Sequence, residues 1–218
     1  MSEALTVLTW NLCGLDERHL DERTEAGCFH LLSGQAGPPP DVVMLQEVVR
    51  RTLFAHLRPH FGAAGYTLAP SEPVSDSEYF CAIAVAPHLR PRAAWRRPFP
   101  GSHMGRALLG LEVDWDGVPL LACTAHLESL RSGERERKAQ VTTVAATLAA
   151  HDGPAVFGGD TNLGGDVTDL LEPHGVRDIF DVLGRPSPLA TWWPLDAPSP
   201  RGRPMRFDRV WVDGALTP

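Results

Sequence analysis

The chain has 218 residues, 43% of them hydrophobic, four cysteines and a formal charge of −7. That length and apolar content supply a sizeable core, and no apolar run is long enough to span a membrane. The negative charge argues against sequence-blind coating of nucleic acid, while leaving room for a local basic patch near one end of a phosphodiester.

Met1-Ser2-Glu3-Ala4 passes straight into strand-like residues without a basic n-region, so a secretory signal is not expected. Cys13, Cys28, Cys81 and Cys123 are scattered, with no C-x-x-C pair. They read as small core residues of a reducing, cytoplasmic compartment. Leu5 to Trp10 is β-rich and delivers Asn11 at its carboxyl end. Asp21 to Leu32 has the pattern of a half-exposed helix, and the Gly/Pro-rich segment from Ser33 to Pro40 ends it as a loop.

Asp41 to Leu45 is a continuous apolar run, the pattern of a strand covered on both faces, and it delivers Gln46 and Glu47. Val48 to Phe61 carries Leu53, Phe54, Leu57 and Phe61 at helical spacing. His56 and His60 stand i, i+4, which is a metal-ligand spacing; without a Glu-flanked motif they read as exposed helix histidines. Phe80–Val85 and Leu108–Val113 are further strands. The second is joined to Val118–Thr124 by Asp114-Trp115-Asp116-Gly117, whose Asp-Gly step signals a hairpin, so the sheet must be mixed. Between them Arg90, Arg92, Arg96, Arg97 and Arg106 form a Pro-interrupted basic stretch that reads as a loop. Arg106, at a strand start, is its best candidate for phosphate contact.

After Thr124 come His126, Glu128 and Ser129, and Ser132 is expected to cap a helix that continues through Leu148. Ala155 to Phe157 forms a buried strand that reaches Gly158 and Gly159, residues that permit a sharp turn or close approach, and then presents Asp160 and Asn162. Taken alone, Phe157 to Leu163 reads first as an ordinary Asx turn closing a strand and only second as a site. Val167–Leu171 and Val176–Leu183 read as short helical pieces. In the Pro-dense loop Ser187–Arg203, Trp192 and Trp193 either stack on a base or seal the core. Met205–Val212 is a final strand that carries Arg206 and Asp208.

Asn11, Glu47, His126, Asp160 and Asn162 each follow a strand, and together they are the groups a metal-assisted phosphodiesterase requires. Glu47 offers the lone carboxylate that suits magnesium, Asp160 can orient or deprotonate water, and Asn11, Asn162 and His126 can donate to a phosphate's growing negative charge.

Thr9-Trp10-Asn11, Leu45-Gln46-Glu47-Val48, His126-Leu127-Glu128-Ser129, Gly159-Asp160-Thr161-Asn162-Leu163 and Arg206-Phe207-Asp208-Arg209 resemble the ordered motifs of the endonuclease/exonuclease/phosphatase superfamily. Within it, the first, third and fourth motifs resemble the 5′-tyrosyl-DNA phosphodiesterases. The resemblance implies a deoxyribonuclease-I-like four-layer α/β sandwich, two packed mixed β-sheets flanked by helices, as one domain over residues 1–218.

It also implies a Mg2+ site at Glu47 with Asn11 beside it, with Mn2+ as a substitute. Asp160, Asn162 and His126 would be catalytic, Asp208 would orient a second histidine, and Arg106, Ser129, Trp192 and Arg206 would bind substrate. The substrate would be a 5′-phosphotyrosyl-DNA end or a related phosphodiester, and the protein a monomer away from membranes. Two departures stand out. Gly164 occupies a position often basic in that family, and no histidine follows His174, so the expected terminal Ser-Asp-His is absent. Either a C-terminal tail lies beyond this sequence, or the chain is a catalytically impaired binding module. Another phosphoesterase or nuclease of the superfamily is the remaining alternative.

Overall fold

The computed structural model describes residues 4–35, 37–74, 77–184, 190–192 and 205–216. In chain order the elements are β1 (Val7–Asn11), α1 (Leu20–Leu32), β2 (Val42–Val49), and α2 (Arg50–Thr52), which runs through a π-helical turn, Leu53–Leu57, into α3 (Arg58–Ala63). Then come β3 (Thr67–Ala69), β4 (Tyr79–Val85), β5 (Arg90–Pro98), β6 (Ala107–Trp115) and β7 (Val118–His126). The chain continues through α4 (Glu134–Ala149), β8 (Ala155–Asp160), α5 (Thr168–Leu171), β9 (Arg177–Asp178), α6 (Ile179–Val182) and β10 (Asp208–Val212).

One sheet has the order β1-β2-β4-β3 and the other β5-β6-β7-β8-β10-β9. Both are mixed: β1 with β2 and β7 with β8 run parallel, and the other pairs run antiparallel. Three apolar clusters separate four layers. The first lies between α4–α5 and the larger sheet, the second between the two sheets, and the third between α1–α3 and the smaller sheet. This is the α/β sandwich the motifs imply, and among the described residues no helix is long and apolar enough to cross a membrane.

Strand periodicity explains why the inner strands read as unbroken apolar runs. On β2, Val43 and Leu45 enter the helix-side core while Val42 and Met44 enter the core between the sheets. On β8, Ala155 and Phe157 face α4 while Val156 faces the other sheet. Each face of such a strand is covered, so no polar alternation survives.

Several local readings change. The arginine-rich stretch expected as a loop is the edge strand β5, paired along β6; Arg90, Arg92, Arg96 and Arg97 stay exposed at a sheet edge, where charge and proline discourage strand addition. Residues 48–49 extend β2, and the helix starts at Arg50. Ser132 sits in a 3-10 turn, Arg131–Gly133, and makes no side-chain cap. Arg177–Asp178 is a short strand within the second predicted helical piece, and Met205–Phe207 precede the final strand.

His56 is buried and bonded to Asp21, and its ring stacks on half-buried His60 at 6.5 Å, so neither is an exposed helix histidine. Cys28 and Cys123 are core residues as expected, whereas Cys13 is exposed. The Asp-Gly hairpin is confirmed. Trp115 pairs with Val118, and Asp116 and Gly117 both take positive φ (52° and 86°), the requirement of a type I′ turn.

Candidate active site

The same periodicity assembles a polar cluster at one end of the space between the sheets. On β10, Val212 and Val210 pack into the inter-sheet core, and Asp208 continues their face. On β8 the face is Val156, Gly158, Asp160, and on β7 it is Leu120, Ala122, Thr124, His126. Strand pairing aligns the ends: His126 is the register partner of Asp160, and Asp160 of Asp208. Three side chains therefore form one row across the larger sheet. From the smaller sheet, Val7, Thr9 and Asn11 of β1 approach the row from the opposite side.

Glu47 would point into the helix-side core if β2 were regular. A β-bulge between Leu45 and Val48 and a left-handed backbone at Glu47 (φ 52°) turn its side chain toward Asn11 and return Val48 to the helix-side core. Gly14 makes room for this, because a Cβ there would lie 2.0 Å from the Glu47 carbonyl oxygen. Gly158 lets the sheets close, since a Cβ would stand 2.6 Å from Met44 Cε and 3.1 Å from Thr9 Cβ.

Asn11 joins the two sheets. Its Oδ1 accepts from the Cys13 N–H at 2.8 Å, which assigns the amide; its Nδ2 donates to Asp160 Oδ2 at 2.9 Å and Glu47 Oε1 at 3.2 Å. His126 lies between those carboxylates, with Nδ1 3.6 Å from Glu47 and Nε2 3.5 Å from Asp160. These are ion-pair distances, yet burial and then the nearby Arg106 guanidinium outweigh Glu47 and pull the imidazole down to about 3, so His126 is neutral at ordinary pH. Arg106 Nη2, which can only donate, stands 3.4 Å from Nε2 and donates to Ser129 Oγ at 3.1 Å.

Burial also raises the Asp160 carboxyl, against the opposing hydrogen bonds from Asn11 and the Asn162 N–H. Asp208 is pushed up to about 6, first by burial and then by Asp160, and its Oδ1 is buried without a partner among the described residues. Asn162, left-handed at φ 52°, closes an Asx turn through its N–H to Asp160 Oδ1 (3.0 Å). Its amide donates to Leu127 O (3.2 Å) and Ser129 Oγ (3.1 Å). The Asx turn and the site are thus one structure.

Three carboxylates, Glu47, Asp160 and Asp208, gather around a neutral histidine with Arg106 as the cation that acts on His126 and Asp160. Their excess negative charge and oxygen donors fit a hard divalent cation. Among the described residues no three His, Cys, Asp or Glu side chains form an all-protein metal cage; magnesium seldom uses one, keeping several waters instead.

Beside His126 a cleft of about 380 Å³ opens along β4 and β6, lined by Tyr79, Cys81, Trp95, Arg96, Met104 and Arg106 among others. The Arg106 guanidinium lies 5.2 Å over the Tyr79 ring. Tyr79 carries no motif signal, because one aromatic at a strand start is indistinguishable from core. Gln46, named in the sequence reading as a strand-end residue and part of a motif, was given no role there. Fully buried, it donates to Thr9 Oγ1 at 3.0 Å and Thr124 Oγ1 at 2.9 Å and so ties the sheets beneath the site. Its signals were an amide at the end of an apolar run and a place in the second motif, and neither says what it bonds.

Two expected substrate contacts stand apart. Arg206 makes a two-pronged pair with Asp178 (3.1 Å each) and lies 4.5 Å over Phe180; Asp178 also holds buried Arg209 at 3.0 Å. Trp192 is 43% exposed, bridges to Met205 and tilts against Phe207 at 5.5 Å. Trp193 lies outside the described residues. A Cβ on Gly164 would lie 1.8 Å from Met205 Cε, so a larger residue there requires that methionine to move.

The chain is similar to known proteins in sequence and in fold. The chain is 31% identical over 216 residues to tyrosyl-DNA phosphodiesterase 2 of Gallus gallus, covering 95% of this chain and 56% of that protein. It is 32% identical over 231 residues to that of Mus musculus, covering 100% and 59%. The chain thus spans a little over half the length of these curated relatives. The crystal structure of D. rerio TDP2 complexed with single strand DNA product superposes with a TM-score of 0.81 at 27% identity, covering 98% of this chain and 86% of that one. A family model, Endonuclease/Exonuclease/phosphatase family, matches residues 8–218, a span that takes in Asn11, Glu47, His126, Asp160, Asn162 and Asp208. Fold, cluster and match coincide, and the chain belongs to the endonuclease/exonuclease/phosphatase family.

Proposed function

We propose that this chain, as a single domain, is a metal-dependent phosphodiesterase that hydrolyses 5′-phosphotyrosyl-DNA or related phosphodiesters at DNA ends. The observation that carries the reading is the Asn11 amide bonded at once to Glu47 and Asp160, with neutral His126 between the two carboxylates. Glu47, with Asn11 beside it, would hold Mg2+, with Mn2+ as a substitute; the superfamily is generally dependent on a divalent metal. When bound, the cation neutralises the phosphate and polarises its oxygens.

The remaining work falls to the chain's own groups. Asp160 orients the attacking water and accepts its proton, and burial raises its carboxyl above the usual carboxylate value. His126, Asn162, Ser129 and Arg106 face the phosphate and stabilise the charge that develops on it; one such donor is typically worth about 3 kcal/mol of barrier. Asp208 completes the row as an orienting carboxylate. The water oxygen bonds to phosphorus, the ester bond to the leaving oxygen breaks, and a 5′-phosphate remains. An aromatic leaving group suits the largely apolar cleft beside His126. The four free thiols accord with a reducing, cytoplasmic setting, and the reading takes the protein as a monomer.

A 5′-phosphotyrosyl oligonucleotide incubated with Mg2+ tests this. Release of tyrosine and a 5′-phosphate is expected. No release, alongside hydrolysis of a different phosphoester, sinks the DNA-end reading.

A further inference from the structure

Glu128 has no role in the reading so far, yet it is 2% exposed and is the most heavily hydrogen-bonded carboxylate near the site. Its Oε2 accepts from Ser102 Oγ at 2.6 Å and from Gln140 Nε2 at 3.4 Å; its Oε1 accepts from the N–H groups of His103 and Met104, both at 3.1 Å. All but Gln140 belong to the loop that carries Arg106 into the cluster. Ser102 passes the connection on, because its hydroxyl donates to Glu128 and accepts the Arg106 N–H at 2.8 Å.

The carboxylate is itself fixed. The Glu128 N–H donates to Gln140 Oε1 (2.8 Å), and Arg137 of α4 donates to the Glu128 carbonyl (3.0 Å). Gly133 leaves room for its side chain, since a Cβ there would stand 2.7 Å from Glu128 Cγ. A loop held only by backbone turns would leave a long arginine side chain free to choose among rotamers. This one is anchored at three consecutive residues, two positions before the arginine.

We propose that Glu128, acting through Ser102, is the positioning residue that fixes Arg106 against His126 and Ser129. Glu128 does not touch substrate; it sets where the guanidinium stands. The geometry stands by itself, and only the activity arm of its test rests on the phosphodiesterase reading.

The test uses the full chain and two readouts. The first is the ¹⁵N NMR signal of the Arg106 Nε–Hε group, assigned by its loss in Arg106→Lys. Glu128→Gln and Ser102→Ala should both shift or broaden it, and Ser102→Thr, which keeps the hydroxyl, should restore it. The second is hydrolysis of 5′-phosphotyrosyl DNA and of bis(p-nitrophenyl) phosphate. Glu128→Gln and Ser102→Ala should lower kcat by about 10–100-fold, the usual cost of removing a group that orients a functional side chain, with KM little changed. In an Arg106→Ala background the same substitutions should cost almost nothing further.

An unmoved Arg106 signal, or losses that multiply with Arg106→Ala, overturns the proposal. If Glu128→Gln does not fold, Ser102→Ala and Ser102→Thr decide it. If the unaltered chain hydrolyses neither substrate, the phosphodiesterase reading fails and the NMR comparison still decides the positioning role.

Discussion

Asp208 faces Asp160 directly across the β8–β10 ladder, so a half-buried and a buried carboxylate share one rung. Burial and that neighbour hold Asp208 at about 6, against about 4 in an unfolded chain. The sign follows from linkage. Below about pH 4 Asp208 is protonated whether folded or not and costs nothing; as pH rises through 6 it must ionise in the folded protein, and stability is lost. Asp208→Asn should therefore melt at a higher temperature at pH 8, by the equivalent of about 2–3 kcal/mol, and match the unaltered chain at pH 4. An equal gain at both pH values would mean that charge is not the cause.

Glu47 keeps a left-handed backbone that a non-glycine residue adopts at a cost of about 1–3 kcal/mol. Glu47→Gly removes that strain along with the carboxylate. It should abolish magnesium-dependent hydrolysis while leaving the melting temperature unchanged or higher, whereas Glu47→Ala should lose both activity and stability. Metal titration followed by the rate, and thermal melts of both variants, check this. Unchanged metal dependence would remove Glu47 as ligand.

Gly158→Ala places a methyl group against Met44 and Thr9 where the sheets are closest. Overpacking of this kind costs about 1–3 kcal/mol. Because Thr9 is two residues from Asn11 on the same face of β1, the change should also lower kcat beyond what the unfolded fraction explains. Rates normalised to folded protein, measured by circular dichroism, distinguish the two effects.

Arg206→Ala separates a structural arginine from a DNA-binding one. Its guanidinium is occupied by Asp178 and Phe180, so the loss should be of stability, about 1–3 kcal/mol for charge-assisted hydrogen bonds. The salt dependence of single-stranded DNA binding should stay as it was. A shallower slope by about one unit would assign Arg206 to a phosphate contact.

The strands that carry the site were legible because each is an apolar run that stops at a polar residue, and period-2 alternation turns such endings into a common face. The hairpin was legible from two residues alone. The parity change at Glu47 was not, since a bulge is a relation between two strands and one strand's pattern does not contain it. Strand β5 was hidden for a similar reason: an edge strand exposed on both faces has no apolar alternation, and its arginines and prolines imitate a loop. Arg206 looked available because its chemistry is visible in sequence and its partner Asp178, 28 positions earlier, is not. Gln46 and Glu128 were named but given no role, because a buried polar residue is defined by its partners.

Asn11 and Glu47 come from one sheet and His126, Asp160 and Asp208 from the other, with Gln46 stitching them below. The cluster therefore spans a seam between two separately hydrogen-bonded bodies, and its alignment depends on how far one is displaced along the other. Met44, Val156 and their neighbours in the core between the sheets act as the shims that set this displacement. A repacking there that leaves the fold intact can still shift Asn11 and Glu47 against His126, Asp160 and Asp208, so the apolar middle of the sandwich sets the geometry of the candidate site.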